Sequence, residues 1–155
     1  MEITLSVIAI ILSVISGGFA LYSFAWTACR DRKQATLDAY NLLQEQALDY
    51  LNYYTPAQIA EIAQDSRSDD YKKISAYIAR IEHFCVGVNQ KIYDRKTVYA
   101  LAHDYLDGSI KIRIQPIIER KNQYRGIDYY ENIHQFYNWM ERYKKGVNRN
   151  EHQTS

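Results

Sequence analysis

Apolar residues follow two patterns along this chain, and the change comes at Arg30. From Ile3 to Cys29 no charged residue interrupts the sequence. A helix over those 27 residues would be about 40 Å long, against a bilayer hydrocarbon core of about 30 Å. Beyond Arg30 the apolar residues recur at steps of three and four. Leu37, Tyr40, Leu43, Ala47, Leu51 and Tyr54 form one stripe, and Tyr71, Ile74, Ile78, Ile81, Cys85, Val88 and Ile92 form a heptad seam. The pattern predicts an all-α chain: one N-terminal transmembrane helix continuing into a cytoplasmic antiparallel helical bundle of about five helices.

Polar punctuation divides the bundle. Thr55-Pro56 stops the first cytoplasmic helix and starts a short one to about Gln64, with Thr55 as its N-cap. Asp65 to Asp70 reads as an exposed loop, and Asp69 or Asp70 as the cap of the seam helix. Asp94 caps a fourth helix to about Asp107, where Asp107-Gly108-Ser109 marks a stop and a new start. Ile110, Ile112 and Ile114 alternate with Lys111 and Arg113 as a strand would. A lone strand has no partner here, and Ile114, Ile117, Ile118 and Lys121 continue at helical spacing, so a helix is expected, with Pro116 near its first turn or at a kink. Gly126 ends it. Asp128 caps a last helix through Tyr143 that stops at Gly146. The domains expected are an anchor over 1–29, a helical domain over 30–146 and a disordered tail over 147–155.

For the apolar run, a spanning helix competes with a cleaved signal peptide and a lipoprotein signal ending at Cys29. No Lys or Arg precedes the run and it is too long for a signal core, so spanning is preferred. Arg30, Arg32 and Lys33 follow the run while Glu2 precedes it, which places the N-terminus outside and the C-terminal domain in the cytoplasm. Within the run, Ala9, Ser13 and Gly17 line one face as a small-xxx-small strip, a candidate dimer face.

Net charge is +1, so bulk charge demands no nucleic acid, and the aromatics are not interleaved with cations on one platform as a nucleic-acid surface requires. The charge is nevertheless uneven, with 9 Lys or Arg against 5 Asp or Glu from Lys111 to Ser155. Lys111, Arg113, Arg120, Lys121, Arg125, Lys144 and Lys145 either face solvent or rest against anionic headgroups. With only Cys29 and Cys85 present, no disulfide framework is indicated, and Cys29 lies where acylation occurs.

No P-loop, dinucleotide glycine fingerprint, nucleophile elbow or zinc spacing occurs, so catalytic, cofactor and metal residues are all expected to be absent. Glu82 lies beside the seam and needs a cation if half buried, either Arg80 or Arg120. Gly87 reads as a point of close helix contact. Among 15 tyrosines, Tyr50, Tyr53, Tyr54, Tyr129 and Tyr130 cannot all be core and form a candidate contact surface.

The run Arg80-Ile81-Glu82-His83-Phe84-Cys85-Val86-Gly87-Val88-Asn89, with Ile92-Tyr93-Asp94, Pro116-Ile117-Ile118-Glu119-Arg120 and Tyr130-Glu131-Asn132-Ile133, resembles bacterial membrane-anchored helical proteins grouped under a domain of unknown function. The resemblance spans about Tyr71 to Tyr143. It implies a bacterial inner-membrane protein with a cytoplasmic helical domain and supplies no catalytic residues. The function expected is a non-enzymatic, membrane-tethered interaction module whose partners are the lipid bilayer and another protein, including a second copy. The alternatives are a membrane effector or sensor in phage exclusion or stress response, and an enzyme of unknown class.

Overall fold

The computed structural model describes residues 2–125 and 128–151, apart from the side chains of 2–6, 8, 9, 107, 124, 125 and 147–151. Every regular element among them is helical. Helix α1 runs unbroken over Glu2–Leu43 and passes through a wide π-helical turn, Gln44–Leu48, into the short α2, Asp49–Asn52. There follow α3 (Pro56–Ile62), α4 (Asp69–Asn89), α5 (Arg95–Ala102), a second π-helical turn (Tyr105–Ile110), α6 (Lys111–Arg125) and α7 (Glu131–Glu151).

Local chemistry accounts for most boundaries. Thr55 closes a full capping box: Gln58 N–H donates to its hydroxyl at 3.3 Å while the Gln58 side chain accepts from Thr55 N–H at 2.8 Å. The cap of α4 is Ser68, whose Oγ accepts from Tyr71 N–H at 3.2 Å, and not Asp69 or Asp70. Those two carboxylates lie in the first turn instead, where they complement the helix dipole. Asp94 caps α5 as expected, its carboxylate accepting from Thr97 N–H at 2.9 Å. At the end of α4, Lys91 N–H reaches Val88 O and Ile92 N–H reaches Gly87 O, the two bonds of a Schellman close. Lys91 occupies the left-handed position with φ 60°, where glycine would be the unstrained residue.

Two expected stops, at Gly108 and Gly146, are not stops. α5 ends at Ala102, short of Asp107, and Gly108 lies inside the second π-helical turn, which carries the chain straight into α6. Pro116 is well inside α6; its missing N–H leaves the Ile112 carbonyl without its usual donor, yet packing of Ile110, Ile114, Ile117 and Ile118 into the core holds the helix. Gly146 does not end α7, which is helical to Glu151, so the disordered tail expected over 147–155 is overturned as far as Glu151. The expected stop at Gly126 lies outside the described residues, as do the tail positions 152–155.

Contacts fix the topology. Tyr40 meets Phe84 at 6.1 Å between ring centroids and Tyr50 stacks on Tyr77 at 5.3 Å, so α4 runs antiparallel to the inner half of α1. Tyr105 OH reaches Leu48 O at 3.5 Å and Arg113 reaches the Asn52 side chain at 2.6 Å, so α5 and α6 run alongside α1 in the same direction. Lys121 meets Tyr130 OH, Lys111 meets Glu141 and Tyr99 meets Tyr143, in that order, so α7 returns antiparallel to α5 and α6. The result is an up-down-up-down bundle with α3 packed on α6. Six of the seven seam residues are buried; Ile92 is the exception because α4 has ended before it.

The outer part of α1 stands clear of this bundle. From Ile10 to Ala35 every residue but Ser23 is exposed, including Ile11, Val14, Phe19, Leu21 and Phe24. It is one helix long and apolar enough to cross a membrane, and none of its apolar window is buried inside the protein.

Candidate functional site

The helix leaves this exposed segment and enters the bundle at Thr36. Thr36 is fully buried: its hydroxyl donates to Arg32 O at 2.7 Å, as helical threonines do, and accepts from Asp94 N–H at 2.8 Å. The α1 end of the apolar run is thereby tied to the α4–α5 turn. Gly87 gives that turn its shape, because a Cβ there would lie 2.3 Å from the Tyr93 ring. Tyr93 stacks on Phe84 at 5.3 Å, so the close contact anticipated at Gly87 is with a turn tyrosine. Arg95 braces the same corner, donating to Val88 O and Asn89 O while its guanidinium lies 5.3 Å from the Trp139 ring centroid.

Glu82 is half buried and takes its hydrogen bonds from the start of α7. Its Oε1 accepts from Asn132 N–H at 3.1 Å and from the Asn132 side-chain amide at 2.8 Å, and its Oε2 accepts from Ile133 N–H at 2.9 Å. The carboxylate thus caps α7 from a neighbouring helix, satisfying orphan donors at the positive end of the helix dipole. Of the two arginines expected beside it, Arg80 donates to Gln46 O, and Arg120 lines a polar recess with Glu119, Gln123 and Ala63. Asn89 adds its own amide to Asn132 O at 3.0 Å. The expected cap, Asp128, instead precedes α7, accepting from Tyr130 N–H and pairing with His134 at 2.6 Å.

Beside Glu82 the helix surface opens into a cleft of about 290 Å³ between α1 and α4, floored by Leu43 and Phe84 and edged by Leu42, Gln46, Arg80 and His83. Glu82 does not line it. The thiol of Cys85 is fully buried, and burial, reinforced by Glu82, raises its pKa well above the ordinary range, leaving it an inert core group. Cys29 is exposed on α1. Among the described residues no three of His, Cys, Asp and Glu come together as a metal would need.

The tyrosine set separates. Tyr50, Tyr53 and Tyr129 are exposed, Tyr53 by 81%, whereas Tyr54 is half buried against the core. Tyr130 is 1% exposed and belongs to the core, which overturns its place in a contact surface. Burial and then the neighbouring Tyr71 raise its hydroxyl pKa. On α1, Ser13 and Gly17 face outward, and a Cβ at Gly17 would meet nothing within 4 Å. The side chain of Ala9 lies outside the described residues.

Sequence reasoning missed Thr36, Asn89, Arg95 and Asn132. Thr36 carried a usable signal, a small polar residue four positions before Tyr40 at a stripe position. The others depend on contacts between helices that no local pattern encodes.

Neither curated proteins nor solved structures give a match to this chain. The model of the family described as Domain of unknown function (DUF4760) matches residues 10–140, from within the exposed part of α1 to Met140 in α7. The chain belongs to the DUF4760 family.

Proposed function

We propose that this chain is a single-pass, membrane-tethered interaction protein, without catalytic activity, whose bundle associates with a second copy of itself. The observation that carries the reading is the exposed apolar length of α1, continuous with a helix packed inside the bundle. A soluble protein would not leave ten large apolar side chains between Ile10 and Trp26 in water. Arg30, Arg32 and Lys33 after the run support an N-out, C-in orientation, and Tyr22 and Trp26 support an interface at that level. In the bacterial setting implied by the sequence resemblance, this is the inner membrane with the bundle in the cytoplasm.

Support for self-association comes from helical geometry. Gly17 and Leu42 are 25 residues apart on one unbroken helix, which returns to within about 20° of the same face. The small-residue strip and the exposed Leu42 at the cleft edge therefore share one side of α1, and parallel packing there would bring two clefts together. A binding role is favoured over a catalytic one because Glu82, the carboxylate singled out beside the seam, has both oxygens on the amides of α7.

The test is oxidative cross-linking in membranes. Leu42→Cys in a Cys29→Ser background should form a disulfide dimer, and adding Gly17→Ile should abolish it. Cross-linking at Leu42 that ignores Gly17→Ile would sink the α1 face. A reporter fused at Ser155 that is active outside the cytoplasm would overturn the orientation.

A further inference from the structure

We infer that the end of the bundle nearest the membrane is a docking surface for anionic lipid headgroups. This rests on the tethered reading above. The basic residues of the bundle fall into two groups. Lys111, Arg113 and Lys121 are engaged by the protein itself: Lys111 with Glu141 at 3.1 Å and over the Tyr137 ring, Arg113 with Asn52, Lys121 with Tyr130. All three lie on α6, where Arg113 reaches the α2 end of the bundle.

A second group gathers at the other end. Arg32 and Lys33 of α1, Lys91 and Lys96 around the α4–α5 turn, and Lys144 and Lys145 of α7 are all exposed. None of the six forms an ion pair among the described residues. The Thr36–Asp94 hydrogen bond puts the α4–α5 turn beside α1 just below its basic residues. α7 passes Tyr99 at Tyr143 and continues in the direction of the exposed helix, which carries Lys144 and Lys145 to the same end.

The acids here offset only part of the charge: Asp31 is beside Arg30 at 3.8 Å, and the Asp94 carboxylate, turned onto Thr97, also acts on Lys33 and Arg32. Between Lys91 and Lys96 sits Ile92, 57% exposed, an apolar tip in the same turn.

Distance permits the contact. From Cys29 to Thr36 is about 10 Å of helix, similar to the thickness of one headgroup layer plus the reach of a lysine. It is also about one Debye length, so cations at this level are attracted to an anionic surface without long-range steering. Nucleic acid would not explain Ile92, whereas a headgroup region accommodates both the charges and an apolar side chain.

The test uses the full chain in nanodiscs of phosphatidylcholine alone or mixed with phosphatidylglycerol, followed by amide hydrogen exchange. Incorporation into both discs reports the tether. Docking predicts slower exchange at residues 90–97 in the anionic discs, weakened about fivefold for each cation removed. The variant pair Lys91→Glu with Lys96→Glu should incorporate normally and lose the lipid-dependent protection. Lys144→Glu with Lys145→Glu, on a different helix, should lose it too, which separates docking from any local effect on the turn. Normal incorporation with equal protection in both lipids, or protection unmoved by either pair, overturns docking and leaves the tether standing. Failure to incorporate into either disc overturns the tether, and docking with it.

Discussion

Thr36 and Asp94, 58 positions apart in sequence, share one hydrogen bond at the point where the long N-terminal helix enters the bundle, the buried hydroxyl accepting from the amide at 2.8 Å. Valine at position 36 keeps the β-branched shape and removes the acceptor. Thr36→Val should therefore destabilise the bundle by about 1–3 kcal/mol, the cost of stranding a part-buried donor, while Thr36→Ser should cost less than about 1 kcal/mol. Denaturant titration in detergent micelles measures both. Equal losses in the two variants would show that packing, not the hydrogen bond, makes the joint.

Glu82 makes the same kind of connection between α4 and α7. Glu82→Ala removes an acceptor from two backbone amides and one side-chain amide, and should cost about 2–3 kcal/mol because the acceptor is charged and sits at a helix N-terminus. Glu82→Gln keeps one carbonyl oxygen and should lose about half as much. Hydrogen exchange should accelerate first at Asn132 and Ile133. Acceleration centred on α4 instead would place the role of Glu82 in its own helix.

At Gly87 the expected loss comes from steric conflict. Gly87→Ala puts a Cβ within van der Waals overlap of the Tyr93 ring and should cost about 1–3 kcal/mol. Tyr93→Ala removes the obstacle, so the double variant should be more stable than the sum of the two single losses predicts, by about 1 kcal/mol or more. Strict additivity, measured by thermal denaturation of all four proteins, would mean that the ring swings aside freely.

These sites show what a local reading can and cannot recover. The uncharged run to Cys29, the seam through Val88, the Thr55 capping box and the Asp94 cap depend on neighbours within a few residues, and each was legible. The choice of helix over strand at Ile110 to Ile114 was also legible, because a lone strand has nowhere to bond. Gly108 and Gly146 misled because glycine only lowers helix propensity by about 1 kcal/mol, which neighbouring turns and packing overcome. Ile92 misled because the seam continues in sequence past the point where Lys91 turns the chain. Glu82 reads from its position beside the seam as a group that needs a partner if half buried, but the amides it accepts from lie 50 residues away on another helix, where no local pattern points. Tyr130 read as surface for the same reason: only the return of α7 against α4 and α6 buries it.

Acid should weaken this fold through Asp94 and Asp128. The pKa of Asp94 is lowered from 3.8 chiefly by the Thr97 hydroxyl, and that of Asp128 is lowered because His134 and the Tyr130 amide outweigh the opposing effect of burial. A carboxyl whose folded pKa lies below its unfolded one stabilises the fold fully above the unfolded value. That contribution is lost as pH falls through the depressed folded value. Thermal stability should thus be insensitive to these two groups from neutral pH down to about 5 and fall below about 4. Asp94→Asn with Asp128→Asn should be less stable than the parent at neutral pH, and the gap should narrow as pH drops below 4, since the parent is then losing what the variant already lacks. Melting curves of both proteins between pH 7 and 3 measure the gap. A gap that widens toward low pH would mean that the two carboxyls are held in their protonated form by the fold, contrary to the hydrogen bonds they accept.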